Sequence, residues 1–234
     1  MFAILPHFGI GAVPGTARAA LSVLIALLLY PVVEVPTVVQ STADLFTLVV
    51  GEVAVGLSIG LVIVVFLGGI GLGGEVVGIQ MGVGAATALD PKNDFSLPVV
   101  ANFYQLIALA TWFALEGHLA LLHALGETYE ILPVGGIVAA PKGLSAVVAL
   151  GSTAFEAAIQ IAAPVIVAIL VVNVTMALLA RMAPEMNVFL AAIPITIGLG
   201  LLVIGLGLPG AVRFVSVWTD MLPETISDLV STFR

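Results

Sequence analysis

The side chains that could perform acid–base or metal chemistry are few and widely spaced in this sequence. His118 and His123 lie five residues apart, so they miss the i, i+4 spacing with which two helical imidazoles bind zinc. Glu116, Gly117 and His118 place a carboxylate beside an imidazole, as an acid–base pair or a helix-capping or inter-subunit hydrogen-bond set. The structural interpretation is favoured, because buried polar groups are usually hydrogen-bonded parts of the fold. We therefore predict no catalytic residue, cofactor or metal site.

A glycine-rich segment, GGEVVGIQMGVGAATALDP at residues 73–91, follows a long apolar run. Within it Gly74, Gly78, Gly82 and Ala86 recur every four residues. At helical spacing these small residues share one face, on which a second helix packs closely. General enrichment of glycine in membrane helices is the alternative explanation of the same spacing. We expect the four residues to form a packing face toward helices or subunits.

Several polar residues lie in or near the apolar runs. Gln80 follows Gly78 by two residues, so it points to a different face and needs a partner in another helix or in a water-filled lumen. Ionisable groups such as Glu52 and Glu156 sit mostly near the ends of the runs, which favours interfacial or subunit-contact roles. The polar contacts expected in an assembly are those of Glu75, Gln80, Glu116, His118, Asn173 and Arg181.

The composition is that of an integral membrane protein. Of 234 residues 61% are hydrophobic and 9% charged, whereas soluble domains are about one quarter charged. The length allows about five to seven membrane helices of roughly 20 residues each. A net charge of −8 argues against nucleic-acid binding, and without cysteine there are no disulfides or thiolate metal sites.

The long uncharged runs predict an all-α fold of kinked helices and helical hairpins, because none alternates as a strand does. Pro164, Asn173 and Pro194 lie inside such runs and predict kinks or breaks. Residues 126–145 are predicted to be a loop with an amphipathic start. The tail, residues 213–234, is predicted to be an interfacial helix broken by a proline.

Four blocks of the sequence carry a resemblance to a known family. They are PHFGIGAVPGTARAALSVLIALLLYP at 6–31, GEVVGIQMGVGAATALDP at 74–91, ALEGHLALLHALGETYEILPVG at 114–135 and VVNVTMALLARMAPEMNVFLAAIPITIGLGLLVIGLGLP at 171–209. In chain order and over nearly the whole chain, they resemble the FliR family of the bacterial flagellar protein-export gate. The matching residues are Pro14, Arg18, Pro31, Gly78, Gln80, Met81, Gly82, Asp90, Pro91, Gly117, His118, Pro133, Gly135, Asn173, Arg181, Pro184, Asn187, Phe189, Pro194 and Pro209.

The resemblance implies a single FliR-like membrane domain over residues 1–234, at the bacterial inner membrane in the flagellar basal body. It implies assembly with FliP-like and FliQ-like subunits into a helical, funnel-shaped channel for unfolded flagellar proteins in transit, with FlhA- and FlhB-like components and membrane lipid alongside. An inward loop of such subunits plugs the channel. The expected plug residues are Ala86, Thr87, Ala88, Leu89, Asp90 and Pro91.

The sequence departs from the family pattern in two places. It begins almost at the family's "P-x-F-G" region, so either the start is trimmed or misassigned, or this homologue has lost the family's preceding apolar segment. Ala86, Ala88 and Leu89 stand where family members often carry phenylalanine, which predicts a less bulky plug. The alternatives are a small stand-alone transporter or channel, which would show paired mid-depth carboxylates or repeat symmetry, and a membrane-bound enzyme built on Glu116 and His118.

Overall fold

The computed structural model describes residues 14–31, 33, 41–83, 99–136, 143–183 and 188–233. Across these ranges the regular elements are six helices, and no strand is present, which confirms the all-α prediction. The helices are α1 (Gly15–Leu29), α2 (Thr42–Gln80), α3 (Val99–Ala114), α4 (Gly117–Ile131), α5 (Gly143–Met182) and α6 (Val188–Ser231).

Three of the described helices, α2, α5 and α6, are long and apolar enough to cross a membrane. The pair α3 and α4, bent by 67° at a short break, could form a fourth span. Three or four spanning helices among the described residues are fewer than the five to seven membrane helices that the chain length alone allows. The reason is that α2, α5 and α6 contain 39, 40 and 44 residues, about twice the length that a bilayer requires.

Two predicted boundaries are wrong. Helix α4 runs to Ile131, so the start of the predicted loop at 126–145 is helical. Helix α6 runs without a break through Pro194 and Pro223, so the tail is helical as predicted, but as the end of a long helix without the predicted break. Helix α5 likewise continues through Pro164 and Asn173, where the sequence predicts a kink or break. Trp218, Leu222, Ile226 and Val230 recur every four residues at the end of α6 and are buried, so one stripe of the tail packs into the protein.

Contacts divide the chain into two compact units. Unit 1 consists of Met1–Leu67, Trp112–Thr153 and Ser216–Arg234, and unit 2 of Gly68–Thr111 and Ala154–Val215. Large side chains of α2 and α6 form the core of unit 1. There the Phe66 and Trp218 rings stack with centroids 3.5 Å apart and planes within 5°. The fully buried side chains around them include those of Ile59, Ile63, Leu222 and Ile226.

The turn after α4 is held against α2 within unit 1. The Tyr129 hydroxyl donates a long hydrogen bond of 3.5 Å to Glu52 Oε2, and the Gly135 amide donates to the same carboxylate. Gly135 has a φ of +83°, and a side chain there would collide with Leu48. Glu52, which the sequence places inside an apolar run, therefore has its partners within the same unit.

Candidate functional site

The second half of α2, residues 68–80, packs on α5 through backbone contact. A methyl group added at Gly69 would lie 2.6 Å from the carbonyl oxygen and 2.9 Å from the Cα of Ala154. One added at Gly73 would lie 2.9 Å from the Ala158 carbonyl oxygen. Because both obstacles are backbone atoms, the two helices reach this separation only with glycine at both positions.

Helix α3 packs on an adjoining face of the same segment. A methyl group at Gly74 would lie 2.7 Å from Ala101 Cα, whereas one at Gly78 would make an ordinary 3.5 Å contact with Val100. Gly74 and Gly78, which the sequence placed in a packing row, therefore both face α3 within unit 2. The two are not equivalent, because a backbone atom opposes Gly74 and a side chain opposes Gly78.

Gly82, the third residue of the predicted row, has a different structural role. Helix α2 ends at Gln80, and Gly82 follows with a φ of +75°. Its amide donates to the Ile79 carbonyl, and the Val83 amide donates to the Gly78 carbonyl, which together form a Schellman cap. A methyl group on Gly82 would meet no atom within 4 Å, so Gly82 turns the chain rather than packing it. Ala86 lies outside the described residues.

The end of α2 is seated on α6. Met81 is fully buried, and the Thr196 hydroxyl lies 2.9 Å from its carbonyl oxygen and 3.0 Å from that of Ile193. A methyl group at Gly200 would lie 2.6 to 2.8 Å from the Met81 side chain. No pattern in the sequence marks Thr196 or Gly200, since only the fold shows that α6 meets the end of α2.

The opposite face of this segment is exposed and carries its polar side chains. Glu75 and Gln80 share that face with Leu72, Val76 and Ile79, whose exposures are 44%, 41% and 70%. Neither polar side chain makes a hydrogen bond to another described residue. The segment is therefore packed by glycine on one side, while its acidic and amide groups are available on the other.

Comparison with known proteins identifies the family. Residues 1–222 match the family described as "Bacterial export proteins, family 1". The chain belongs to this family. It is 30% identical over 228 residues to "Flagellar biosynthetic protein FliR" of Caulobacter vibrioides, covering 97% of this chain and 90% of the relative.

Two further relatives show the range of the match. FliR of Pectobacterium carotovorum subsp. carotovorum is 28% identical over 232 residues, which cover 97% of this chain and 88% of the relative. "Surface presentation of antigens protein SpaR" of Salmonella typhimurium is 25% identical over 206 residues, covering 87% and 76%. The chain is thus a FliR-type component of a bacterial flagellar or type III export apparatus.

Glu116 and His118 of this FliR-type chain lie at the break between α3 and α4. Glu116 has a φ of +57°, and its carbonyl oxygen accepts hydrogen bonds from the amides of Leu119 and Ala120. Its side chain is exposed and makes no capping hydrogen bond. The His118 ring packs on the Phe113 ring with centroids 5.4 Å apart. These contacts show that both residues lie at the start of α4, where they are part of the fold.

The remaining predicted residues fall in two places. Asn173 and Arg181 are exposed on the second half of α5, where Val171, Val174 and Leu178 are more than half exposed as well. Neither polar residue makes a hydrogen bond or ion pair with another described residue. The expected plug residues, 86–91, lie outside the described residues, so their role stays a prediction.

Proposed function

We propose that this chain is a structural, non-catalytic subunit of a flagellar protein-export gate in the bacterial inner membrane and basal body. It assembles with FliP-like and FliQ-like subunits into the channel that unfolded flagellar proteins pass through, beside FlhA- and FlhB-like components. The observation that carries this proposal is the match to a family of bacterial export proteins over residues 1–222, with FliR relatives along almost the whole chain.

The exposed surfaces of the chain support an assembly. In their most apolar windows α5 and α6 are only 22% and 17% buried, so most of that surface is left for lipid or other subunits. Glu75 and Gln80 project from an exposed face of α2. A carboxylate and an amide in such a setting favour a protein partner over lipid tails, since lipid tails cannot hydrogen-bond.

The decisive experiment is co-purification. The chain is expressed with FliP-like and FliQ-like subunits of the same genome, extracted in mild detergent, and examined by size exclusion and native mass spectrometry. We expect one large complex that contains all three kinds of subunit. A chain that elutes as a monomer or small homo-oligomer, without those subunits, would contradict the proposal.

Paired variants connect the experiment to the exposed face of α2. Replacing both Glu75 and Gln80 by Leu keeps the helix apolar but removes its polar groups, so we expect less complex to be recovered. Ile79→Leu, a change on the same exposed face, is the matched control and should leave recovery unchanged. Equal recovery of the double variant and the control would remove Glu75 and Gln80 from the contact.

The plug belongs to the same proposal. Residues 86–91 follow the Gly82 cap and are proposed to form an inward loop that closes the assembled channel. Deleting Ala86–Leu89 should let small ions leak through the assembled complex in a liposome flux assay, while the complex still forms. An intact permeability barrier in the assembled deletion variant would contradict the plug.

A further inference from the structure

Unit 2 contains a cavity of about 260 Å³ that is lined by residues of α3, α5 and α6. A cavity of about 150 Å³ holds a benzene ring, so this one has room for a large aromatic side chain. Gly207 and Gly210 of α6 form part of the lining, and a methyl group on either would meet no atom within 4 Å. With no side chain in the way, the backbone of a neighbouring helix could approach this wall closely.

The cavity also contains groups that need hydrogen bonds. Tyr104 lines it and is only 4% exposed, yet its hydroxyl has no hydrogen-bond partner among the described residues. Pro164 has no amide hydrogen, so the Gln160 carbonyl lacks the donor that a helix normally supplies four residues later. The Gln160 side chain is exposed at the edge of the cavity. The lining residues therefore combine apolar side chains with a hydroxyl, a carbonyl and an amide group that an occupant could bind.

These polar groups favour a protein occupant over a lipid. An acyl chain would fill the volume but could not bond to the Tyr104 hydroxyl or the Gln160 carbonyl, and an unpaired polar group away from water is costly. A tyrosine or tryptophan side chain fills the same space and carries an O–H or N–H donor at its end. The neighbouring position Leu206 of α6, 76% exposed, provides apolar surface for the helix that carries it.

We propose that this cavity is the socket for one tyrosine or tryptophan side chain on an apolar helix of a neighbouring export-gate subunit. The aromatic ring lies against Gly207 and Gly210, and its polar end donates to the Gln160 carbonyl at Pro164. This inference rests on the proposed function, because it requires that the chain assembles with other export subunits. It adds the position of one contact and the chemistry of the side chain that makes it.

The test replaces glycines of the cavity wall by leucine, so that a side chain of this protein competes with the proposed occupant. Gly207→Leu and Gly210→Leu add a bulky side chain to the wall of the cavity, at positions where a methyl group meets no atom within 4 Å in the isolated chain. Gly198→Leu and Gly205→Leu are matched controls, because their added side chains also meet open space but neither residue lines the cavity. Each variant is co-expressed with the FliP-like and FliQ-like subunits, and its elution profile and thermal midpoint are also measured alone.

We expect the two socket variants to fold like the unaltered chain but to lose about tenfold or more in complex recovery, as when a buried aromatic anchor is displaced. The two controls should retain full recovery. If the unaltered chain assembles and the socket variants assemble as well as the controls, the socket is overturned while the proposed function stands. If the unaltered chain fails to assemble, the proposed function and the socket are both contradicted.

Photo-crosslinking identifies the occupant. Benzoylphenylalanine replaces Val203, which lines the cavity, in the assembled complex, and mass spectrometry identifies what it captures. Capture of a partner-subunit peptide that contains tyrosine or tryptophan supports the socket. Capture of phospholipid alone would overturn it and make the cavity a lipid site.

Discussion

The two halves of α2 are packed by opposite means. Up to Leu67, in unit 1, the helix is held by large side chains, with Phe66 stacked on Trp218. From Gly68 onward, in unit 2, it also buries Ile70 and Val77, and Met81 just after its end, but its closest contacts are those of Gly69, Gly73 and Gly74 with the backbones of α5 and α3. The first half is stabilised by the volume that it fills, and the second by the close approach that missing side chains allow. They should therefore be sensitive to opposite changes in side-chain size.

The difference also bears on assembly. Where backbones touch, at Gly69, Gly73 and Gly74, one helix has little freedom to slide or rotate against another, because no flexible side chain separates the two backbones there. The glycine face thus fixes how the opposite face, with Glu75 and Gln80, is presented. A region packed through long side chains could adjust its surface more easily.

The largest effect is expected from enlarging the glycine side. Gly69→Val directs a branched side chain into the Ala154 backbone, which cannot move aside without displacing α5. We expect little or no monodisperse protein by size exclusion in detergent. Gly68→Val is the control, because a methyl group there meets no atom within 4 Å. Equal behaviour of the two variants would refute backbone contact as the basis of this packing.

The reverse change is expected to be most damaging in the first half. Phe66→Ala empties a fully packed site beside Trp218 and should lower the free energy of unfolding by about 3–5 kcal/mol. Denaturant unfolding in detergent, followed by tryptophan fluorescence, measures the change. Phe46→Ala, at a position 71% exposed, should cost much less. A small loss for Phe66→Ala would show that side-chain volume does not hold this half.

A smaller effect is expected where α2 ends. Thr196→Val removes the hydroxyl that bonds to the Met81 carbonyl and keeps the side-chain shape, so it should cost about 0.5–1.5 kcal/mol. Thr175→Val is the control, since the exposed Thr175 hydroxyl bonds only within its own helix, to the Val171 carbonyl. The same denaturant unfolding applies. Equal losses of unfolding free energy in the two variants would show that the hydrogen bond to Met81 does not stabilise the protein.

The smallest effect tests whether all glycines of the segment matter alike. A methyl group at Gly71 meets only the flexible Gln105 side chain, whereas one at Gly74 meets Ala101 Cα. Gly71→Ala should change the unfolding free energy by less than about 1 kcal/mol, because higher helix propensity offsets the shift of Gln105. Gly74→Ala should destabilise the protein clearly. If both glycines tolerate alanine, the contact with α3 is not backbone-limited.

Local properties of the sequence were sufficient for the fold class and for part of the site. Apolar runs without alternation indicate helices, and the recurrence of Gly74 and Gly78 predicts a shared face, because both depend only on helical periodicity. Residues near in sequence are near in a helix, so such features need no knowledge of the fold. The same holds for the family resemblance, which depends on residues in chain order.

Only the tertiary structure decided the roles that depend on distant partners. Gly82 continues the four-residue spacing, but the helix ends before it, so its freedom to adopt a positive φ makes it a cap. Thr196 and Met81 are 115 residues apart, and no periodicity links them. Pro194 and Pro223 predict a kink or break by their local chemistry, yet α6 continues through both and buries a stripe of side chains near its end. Composition and spacing thus determined which faces exist, and packing decided what each face meets.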